Sequence, residues 1–356
     1  KRYQVKYCVG CELEKTDSER DHGKCPDHPN MERELIDEEN YFFRFSKYQQ
    51  PLLDLYAERP DFVVPNNRLV EIKNFVEKGL QDFSISRIRE KMPWGIPVPG
   101  DESQVMYVWF DALANYITTL GWPEDEANFS KFWPGLQIAG KDNLRQQSAM
   151  WQAMLLSAGL APSRQILIHG HILSAGQKMS KSLGNVIAPE ELTEKFGADG
   201  TRYLLLASGN LESDVDITME RLSEQYNAHL ANSLGNLVSR VMKLSEKMSP
   251  AGTETESTEG EQALLREVAL QIGEYRFADA LGKIWEVVRE ANRFIDEEKP
   301  WELVKTDQAR FDAVMRQLLS NLALIEVTLQ PLLPETAAKI NQALSTGVTE
   351  PLFRRI

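Results

Sequence analysis

The chain has 356 residues, room for two or three domains of about 150 residues each. Hydrophobic residues make up 42%, as expected for a globular protein with a real core. Lys and Arg total 40 against 53 Asp and Glu, a net charge of −13. That balance excludes a protein that coats duplex DNA through a broad basic surface, although a nucleic acid met on one local face stays open. No apolar run approaches the about 20 residues that span a bilayer, and no signal-peptide pattern opens the chain. A soluble cytoplasmic protein without a membrane partner is expected. The chain starts at Lys1 inside what reads as a strand, RYQVKYCVGC, so a fragment of a longer protein is expected.

Residues 1–40 read as a knuckle with short strands. All three cysteines of the chain fall here, too few for a disulfide framework. Cys8 and Cys11 form a C-x2-C pair, and Cys25 and His28 form a C-x2-H pair thirteen residues on. Three thiolates and one imidazole complete a tetrahedral set for one structural zinc, with no position left open for catalysis. Three incidental thiols are the plainer alternative. It is disfavoured because every cysteine lies inside one zinc-like spacing. His22 is a spare ligand without the paired spacing.

FFRFSKYQQPLLDLYAERP then reads as a helix with Leu52, Leu53 and Tyr56 at helical spacing. LVEIKNFVEKGL is a second helix, ending at Gly79. PWGIPVPGDESQVMYVWFDALANYI runs from a Pro-rich connector to a strand and then a helix from near Asp111. Strand Leu136–Ala139, Gly140 and a helix ending at Gly159 follow, and RQILIHGHI is one more strand. The alternation predicts a parallel sheet covered by helices, with ligands at the carboxyl ends of its strands: near Asp111, near Gly140–Asp142 and just beyond Ile172.

The loop GQKMSKS follows that last strand, and a helix then begins near Pro189, with Glu190 and Glu191 in its first turn and Gly197 as its stop. Lys178 and Lys181, three apart with serines beside them and Gly184 after, can wrap a cluster of charged oxygens. From composition alone a solvated loop is the better reading. Placement at the end of a sheet strand shifts the balance toward phosphate. After about residue 212 only long amphipathic helices are expected, with an acidic turn-rich loop at 249–262 and no internal repeat. Asn236 and Arg240 lie four apart on one helix face, and Trp301 follows Pro300. Together they offer hydrogen bonds and a stacking ring to an unpaired RNA base, or simply a surface pair and a buried tryptophan.

KMSKS resembles the signature loop of the class I aminoacyl-tRNA synthetases, in the spelling of the methionyl-tRNA synthetase family. The likeness runs along nearly the whole chain. YCVGCE…CPDH resembles that family's zinc knuckle, YFFRFSKYQQPLL and GLQDFSISR its connective region, VWFDALANY its methionine pocket and AGKDNLR its nucleotide turn. NSLGNLVSR and EEKPW resemble its anticodon-reading helices, and EPLFRRI its ending. The resemblance implies an α/β fold followed by an all-α one. Part of a Rossmann-like catalytic domain with a zinc-knuckle insertion would precede an anticodon-binding helix bundle. The implied segments are 1–40 (knuckle), 41–172 (connective region and second half of the catalytic domain), 173–211 (KMSKS loop and stem-contact region) and 212–356 (anticodon-binding domain).

The implied activity is ATP-dependent conversion of L-methionine to methionyl-adenylate, then transfer to the 3′ end of tRNA(Met), with Mg accompanying ATP and a monomer favoured. Lys178 and Lys181, with Ser180 and Ser182, would stabilise the leaving pyrophosphate. Gly140, Asp142, Met179 and Lys181 would bind ATP. Trp109, Ala112, Tyr116, Asn143 and Gln147 would line the methionine pocket, and Asn236, Arg240 and Trp301 would read the anticodon.

The chain departs from the family's pattern in lacking the opening Rossmann strand and its HIGH motif; HGHI at 169–172 is a different element. Where many relatives have Ile and then Phe-His, this chain has Asn143 and Gln146-Gln147, and Arg354 replaces a proline. Three alternatives compete. Other class I synthetases are disfavoured by the absence of an editing insertion and by the closed zinc set. A non-catalytic tRNA-binding module is the second reading. A purely structural zinc protein leaves the loop and the Asn236, Arg240 and Trp301 set unexplained.

Overall fold

The computed structural model describes residues 2–8, 13–14, 34–179, 184–249, 258–348 and 350–356. The chain divides into two compact units, Lys1–Ile168 and His169–Ile356.

The first unit opens with β1 (Arg2–Cys8), β2 (Leu13–Glu14) and β3 (Glu34–Glu39), an antiparallel sheet in the order β2-β1-β3. Short β4 (Phe42–Phe43) and a single 3-10 turn lead into α1 (Gln49–Glu58), β5 (Val63–Val64) and α2 (Asn66–Glu77). As the apolar spacing predicts, Leu52 and Tyr56 of α1 are buried. Gly79, at φ +99°, turns the chain out of α2 through a region that glycine enters without strain. β6 (Phe83–Ser84) pairs with β4. β7 (Ser86–Ile88), β8 (Pro97–Val98) and β9 (Asp101–Met106) form an antiparallel sheet with β9 central. The helix expected near Asp111 begins earlier, as α3 (Val108–Ala112), and breaks before α4 (Asn115–Thr118). α5 (Glu126–Phe132), capped by Asp125, precedes β10 (Leu136–Gly140). A widened turn at Gln146–Met150 then runs into α6 (Trp151–Ser157) and β11 (Gln165–His169).

Of the expected parallel sheet, β10, β11 and β5 share one sheet in the order β10-β11-β5, with β11 parallel to β5 through Ile166↔Val63 and Leu167↔Val64, whereas β9, the strand expected before Asp111, lies in the antiparallel sheet instead. Ile166, Ile168, Val63 and Phe62 are buried against Leu52, Ile72, Val76, Trp151 and Leu155. Each such side chain contributes about 1.5–3 kcal/mol on leaving water.

RQILIHGHI is two strands rather than one, β11 and a further strand that opens the second unit. The chain leaves the first sheet at Gly170 and starts β12 (Ile172–Ser174) in another, flanked by β13 (Gln177–Lys178) and β14 (Val215–Ile217). The reason is packing. A Cβ on residue 170 would lie 2.2 Å from the Ser213 carbonyl oxygen, so two backbones cross where only glycine fits. α7 (Pro189–Ala207) starts at the expected proline, and at the expected Gly197 (φ 71°, ψ 169°) the helical backbone breaks before a second helical stretch runs on to Ala207. β14 was not expected after residue 212. It is three residues long and too short to show alternation.

α8 (Met219–Gln225), a widened turn at Tyr226–Gly235 and α9 (Asn236–Ser245) form one continuous rod. α10 (Glu259–Gly273), α11 (Phe277–Glu298), α12 (Pro300–Thr306), α13 (Gln308–Leu329) and α14 (Pro334–Thr346) complete the bundle. α10 begins inside the expected 249–262 loop, because Thr258 and Glu261 form a reciprocal capping box. The bundle core is aliphatic, with Leu230, Leu234, Leu237, Val241, Ile284, Leu318 and Ile325 among its buried residues. No helix among the described residues is long and apolar enough to cross a membrane.

Candidate functional site

In the first unit two of the expected pocket residues, Tyr116 and Gln147, meet, and Asn143 lies just after β10. Gly140 closes that strand, and Lys141–Asn143 make one 3-10 turn with Asp142 exposed. The chain then enters the widened turn, whose Gln146 and Gln147 are both buried. Gln147 Nε2 donates to Tyr116 Oη at 3.0 Å, so these two residues are in direct contact. Trp109 and Ala112 lie on α3, just before the α4 turn that carries Tyr116. Trp109 and Tyr116 are half-buried against the same core, and the Tyr116 ring sits 6.1 Å from that of Trp151.

A widened turn leaves main-chain carbonyls short of donors, and here side chains supply them. Tyr56 Oη donates to the Ser148 carbonyl at 2.6 Å, and Gln152 Nε2 donates to the Gln147 carbonyl at 2.9 Å. The Gln152 amide also donates to Ser163 Oγ and accepts from Ser163 N, while Ser163 Oγ donates to Gln137. Burial raises the Tyr56 phenol far above its ordinary pKa, so it stays a donor. Around this network Gln137 Nε2, Gln146 Oε1, Gln147 Oε1, Ser148 Oγ and Trp151 Nε1 have no hydrogen-bond partner among the described residues. Unpaired polar atoms concentrated this way mark a functional stretch more than an ordinary core. Sequence reasoning missed Tyr56 and Gln152. A glutamine inside the apolar run AMWQAML was the available signal.

In the second unit, β12 and β13 make a hairpin across Ala175 (φ +52°) and Gly176 (φ +74°), the geometry that two-residue hairpin turns require. Asp216 accepts from Gly176 N at 2.9 Å, and Asn185 Nδ2 donates to the Lys178 carbonyl at 3.3 Å. Lys178 is exposed at the loop's entrance. Met179 is half-buried and packs against the helical core, so its side chain anchors the loop. Ser180, Lys181 and Ser182 lie outside the described residues.

In the helical part, α9 carries both Asn236 and Arg240. Arg240 pairs with Asp296 of α11 at 2.7 Å and stands 5.8 Å over the Trp301 ring. Trp301, 40% exposed, is placed by a sharp junction: Lys299 adopts φ +45° and Pro300 starts α12. Asn236 Nδ2 donates to the Asn232 carbonyl at 2.9 Å. The final residues return to the same rod, where Arg355 Nε donates to Asn232 Oδ1 and Ile356 exchanges hydrogen bonds with Asn227. Asp296 was not foreseen, since it lies 56 positions from its partner.

Of the zinc set, Cys8 ends β1, where it pairs with Leu13 across the connection that holds Cys11. Cys11, Cys25 and His28 lie outside the described residues. Among the described residues there is no group of three or more side chains able to hold a metal ion.

Residues 4–242 match the family model for tRNA synthetases class I (M). Residues 250–351 match that for the anticodon binding domain of methionyl tRNA ligase. The chain is 41% identical over 356 residues to a methionine–tRNA ligase of Synechocystis sp., covering 95% of this chain and 66% of that protein. It is 42% identical over 361 residues to the ligase of Thermosynechococcus vestitus, covering 96% of this chain and 68% of that protein. Among solved structures it resembles Mycobacterium tuberculosis methionyl-tRNA synthetase in complex with methionyl-adenylate. The TM-score is 0.84 and the identity 34%, over 96% of this chain and 70% of that one. The chain thus spans about two thirds of the length of these relatives. It has the fold of a class I synthetase catalytic domain followed by a helical anticodon-binding domain, and it belongs to the methionyl-tRNA synthetases of class I.

Proposed function

We propose that the chain acts in ATP-dependent activation of L-methionine to methionyl-adenylate, with release of pyrophosphate, and in transfer of methionine to the 3′ end of tRNA(Met). The observation that carries this reading is the order of the two family matches, class I (M) over 4–242 and the methionyl anticodon domain over 250–351. The methionyl-adenylate bound to the Mycobacterium tuberculosis relative supports the same chemistry.

In the first unit, Trp109, Ala112 and Tyr116 with Asn143 and Gln147 take the methionine side chain, since a thioether gains from aromatic neighbours. Gly140 lets the nucleotide approach, and Asp142 accepts hydrogen bonds from the ribose hydroxyls. In the second unit, Lys178 and Lys181, with Ser180 and Ser182, neutralise charge that builds on pyrophosphate as the carboxylate attacks the α-phosphorus. Met179 contributes to ATP binding by seating the loop, and Mg travels with ATP. Arg240 and Trp301 offer a donor and a stacking face to an anticodon base, with Asn236 one helical turn away. Three thiolates and an imidazole from Cys8, Cys11, Cys25 and His28 suit one structural zinc.

The segments 1–40, 41–172, 173–211 and 212–356 serve as knuckle, partial catalytic domain, loop region and anticodon domain. A monomer working in the cytoplasm belongs to the same reading. The test is methionine-dependent exchange of pyrophosphate into ATP. Exchange by the chain, lowered about 100-fold or more in Lys181→Ala, is expected. Binding of tRNA(Met) without any exchange would leave a tRNA-binding part that lacks activation chemistry. Zinc near one ion per chain, lost in Cys25→Ser, is the matching metal assay.

A further inference from the structure

We propose that Arg289 of α11, with His229 of the rod beside it, is a phosphate contact for tRNA(Met). It takes a backbone phosphate of the strand whose unpaired base meets Arg240 and Trp301. This rests on the functional reading above and adds the direction in which the RNA strand leaves that base.

The seam between α11 and the rod is cross-linked at three levels. At one end Arg240 pairs with Asp296 at 2.7 Å. In the middle Asn292 Nδ2 donates to the Ser233 carbonyl at 3.4 Å. At the other end the Trp285 ring lies 4.3 Å from that of Tyr203, whose hydroxyl is 2.7 Å from His229 Nδ1. Arg289 follows Trp285 by four positions and precedes Asn292 by three, so it shares their face of α11 and stands at the level of His229. Both Arg289 and His229 are exposed.

The charges at this level lack an anion. Of the basic side chains on α11, Lys283 meets Glu267 and Glu286, and Arg293 meets Glu297. Arg289 has no ion pair and no hydrogen bond among the described residues, although acidic residues outnumber basic ones by 53 to 40 in this chain. Its neighbour is instead an imidazole whose protonation it opposes. A phosphate relieves that arrangement, because a guanidinium matches two of its oxygens and a neutral imidazole adds one N–H donor. Arg289 precedes Asp296 by seven positions, about 10 Å along the helix. A stacked strand rises about 3.4 Å per phosphate, which places the contact about three nucleotides from the base at Trp301.

The experiment is filter binding of tRNA(Met) by the chain from about 50 to 300 mM KCl, with the slope of log affinity against log salt as the readout. Arg289→Gln is expected to make that slope shallower by about 0.7, the share of one phosphate on a single strand. Its loss of affinity should be the same factor for tRNA(Met) in which one anticodon base is exchanged, since a phosphate carries no sequence. Arg289→Lys should keep the parent slope, because a point charge also serves a phosphate. An unchanged slope in Arg289→Gln, with tRNA(Met) still bound, overturns this inference alone. So does a loss confined to the original anticodon, which would make Arg289 a reader of a base. Titration with inorganic phosphate covers a small-molecule source: heat that vanishes in Arg289→Gln, beside an unchanged tRNA slope, would give the site to a free phosphate compound and overturn the RNA contact. No binding of tRNA(Met) by the unmodified chain overturns the functional reading and this inference with it.

Discussion

Replacing Tyr56 with Phe removes one oxygen and leaves the ring, 6.1 Å from Phe62, in place. Tyr56 is 3% exposed, and its hydroxyl is the donor that reaches the Ser148 carbonyl at 2.6 Å. In the variant that carbonyl stays buried in a turn whose main-chain bonding is already stretched. Leaving a buried acceptor unpaired costs about 1–3 kcal/mol, which corresponds to about a 5- to 150-fold change in a local opening equilibrium. Global melting of a two-unit chain is a poor probe of one turn. Native-state hydrogen exchange of amides within 146–157 is a better one, and it should accelerate by that factor while amides of the helical unit keep their rates.

The same residue has an alkaline signature. Burial holds its phenol neutral, well above the ordinary value of 10.0, while the unfolded phenol ionises near 10. Its contribution is therefore full below pH 10 and lost as pH rises beyond it, at about 1.4 kcal/mol per pH unit. Tyr56→Phe should lack that share of the slope in the first unit. Exchange rates at 146–157 within about twofold of the parent chain would refute the claim that Tyr56 braces the turn.

Burial first, and the nearby Arg289 guanidinium second, lower the His229 pKa below its usual 6.5; the ring nitrogen Nδ1 is 2.7 Å from Tyr203 Oη. A base held neutral stabilises the fold above about 6.5 and loses that contribution as pH falls through 6.5 toward the lower folded value. The urea midpoint of the helical unit should therefore fall on acidification to pH 5, and His229→Asn should flatten the dependence; parallel curves would reject this. Trp301→Ala should weaken tRNA(Met) binding by about 5- to 100-fold, the worth of one base–aromatic stack, with unchanged helix content by circular dichroism; equal affinity in a filter-binding assay would remove Trp301 from the interface. Gly170→Ala places a Cβ 2.2 Å from the Ser213 oxygen, so a loss of about 3 kcal/mol or more in the second unit is expected, read as a lower denaturation midpoint; a parent-like midpoint would show that the crossing can open at little cost.

What the sequence disclosed was set by range. α1 and α2 follow from apolar spacing and Gly79, and α7 from Pro189, because those signals act within a few residues. The contact of Tyr116 with Gln147 and that of Arg240 with Trp301 join residues already singled out, although spacing alone could not bring them together. Elements decided by distant backbone were not legible. β11 and β12 look like one run of RQILIHGHI until Ser213 is seen passing Gly170, and the helical stretch that resumes beyond the break at Gly197, with Tyr203 and Leu204 buried, was not expected. Asp296, Tyr56 and Gln152 each act on a partner that local patterning does not reveal.

The two widened turns share a physical logic. Each adds one residue to a helical turn, shifting everything after it by about 100°, and no hydrophobic period records that shift. Such turns survive only where their loosened carbonyls find other donors. At 146–150 the donors are Tyr56 and Gln152. At 226–235 Asn236 serves the Asn232 carbonyl and Asn292 that of Ser233, while Arg355 and Ile356 clasp the side chains of Asn232 and Asn227. In the first unit the shifted turn carries Gln147, whose amide meets Tyr116, whereas in the second unit regular helix resumes at Asn236, whose amide turns back onto the Asn232 carbonyl. At 146–150 the side chains that hold the shifted turn, Tyr56 and Gln152, therefore also fix the segment that sets the Gln147 amide against Tyr116.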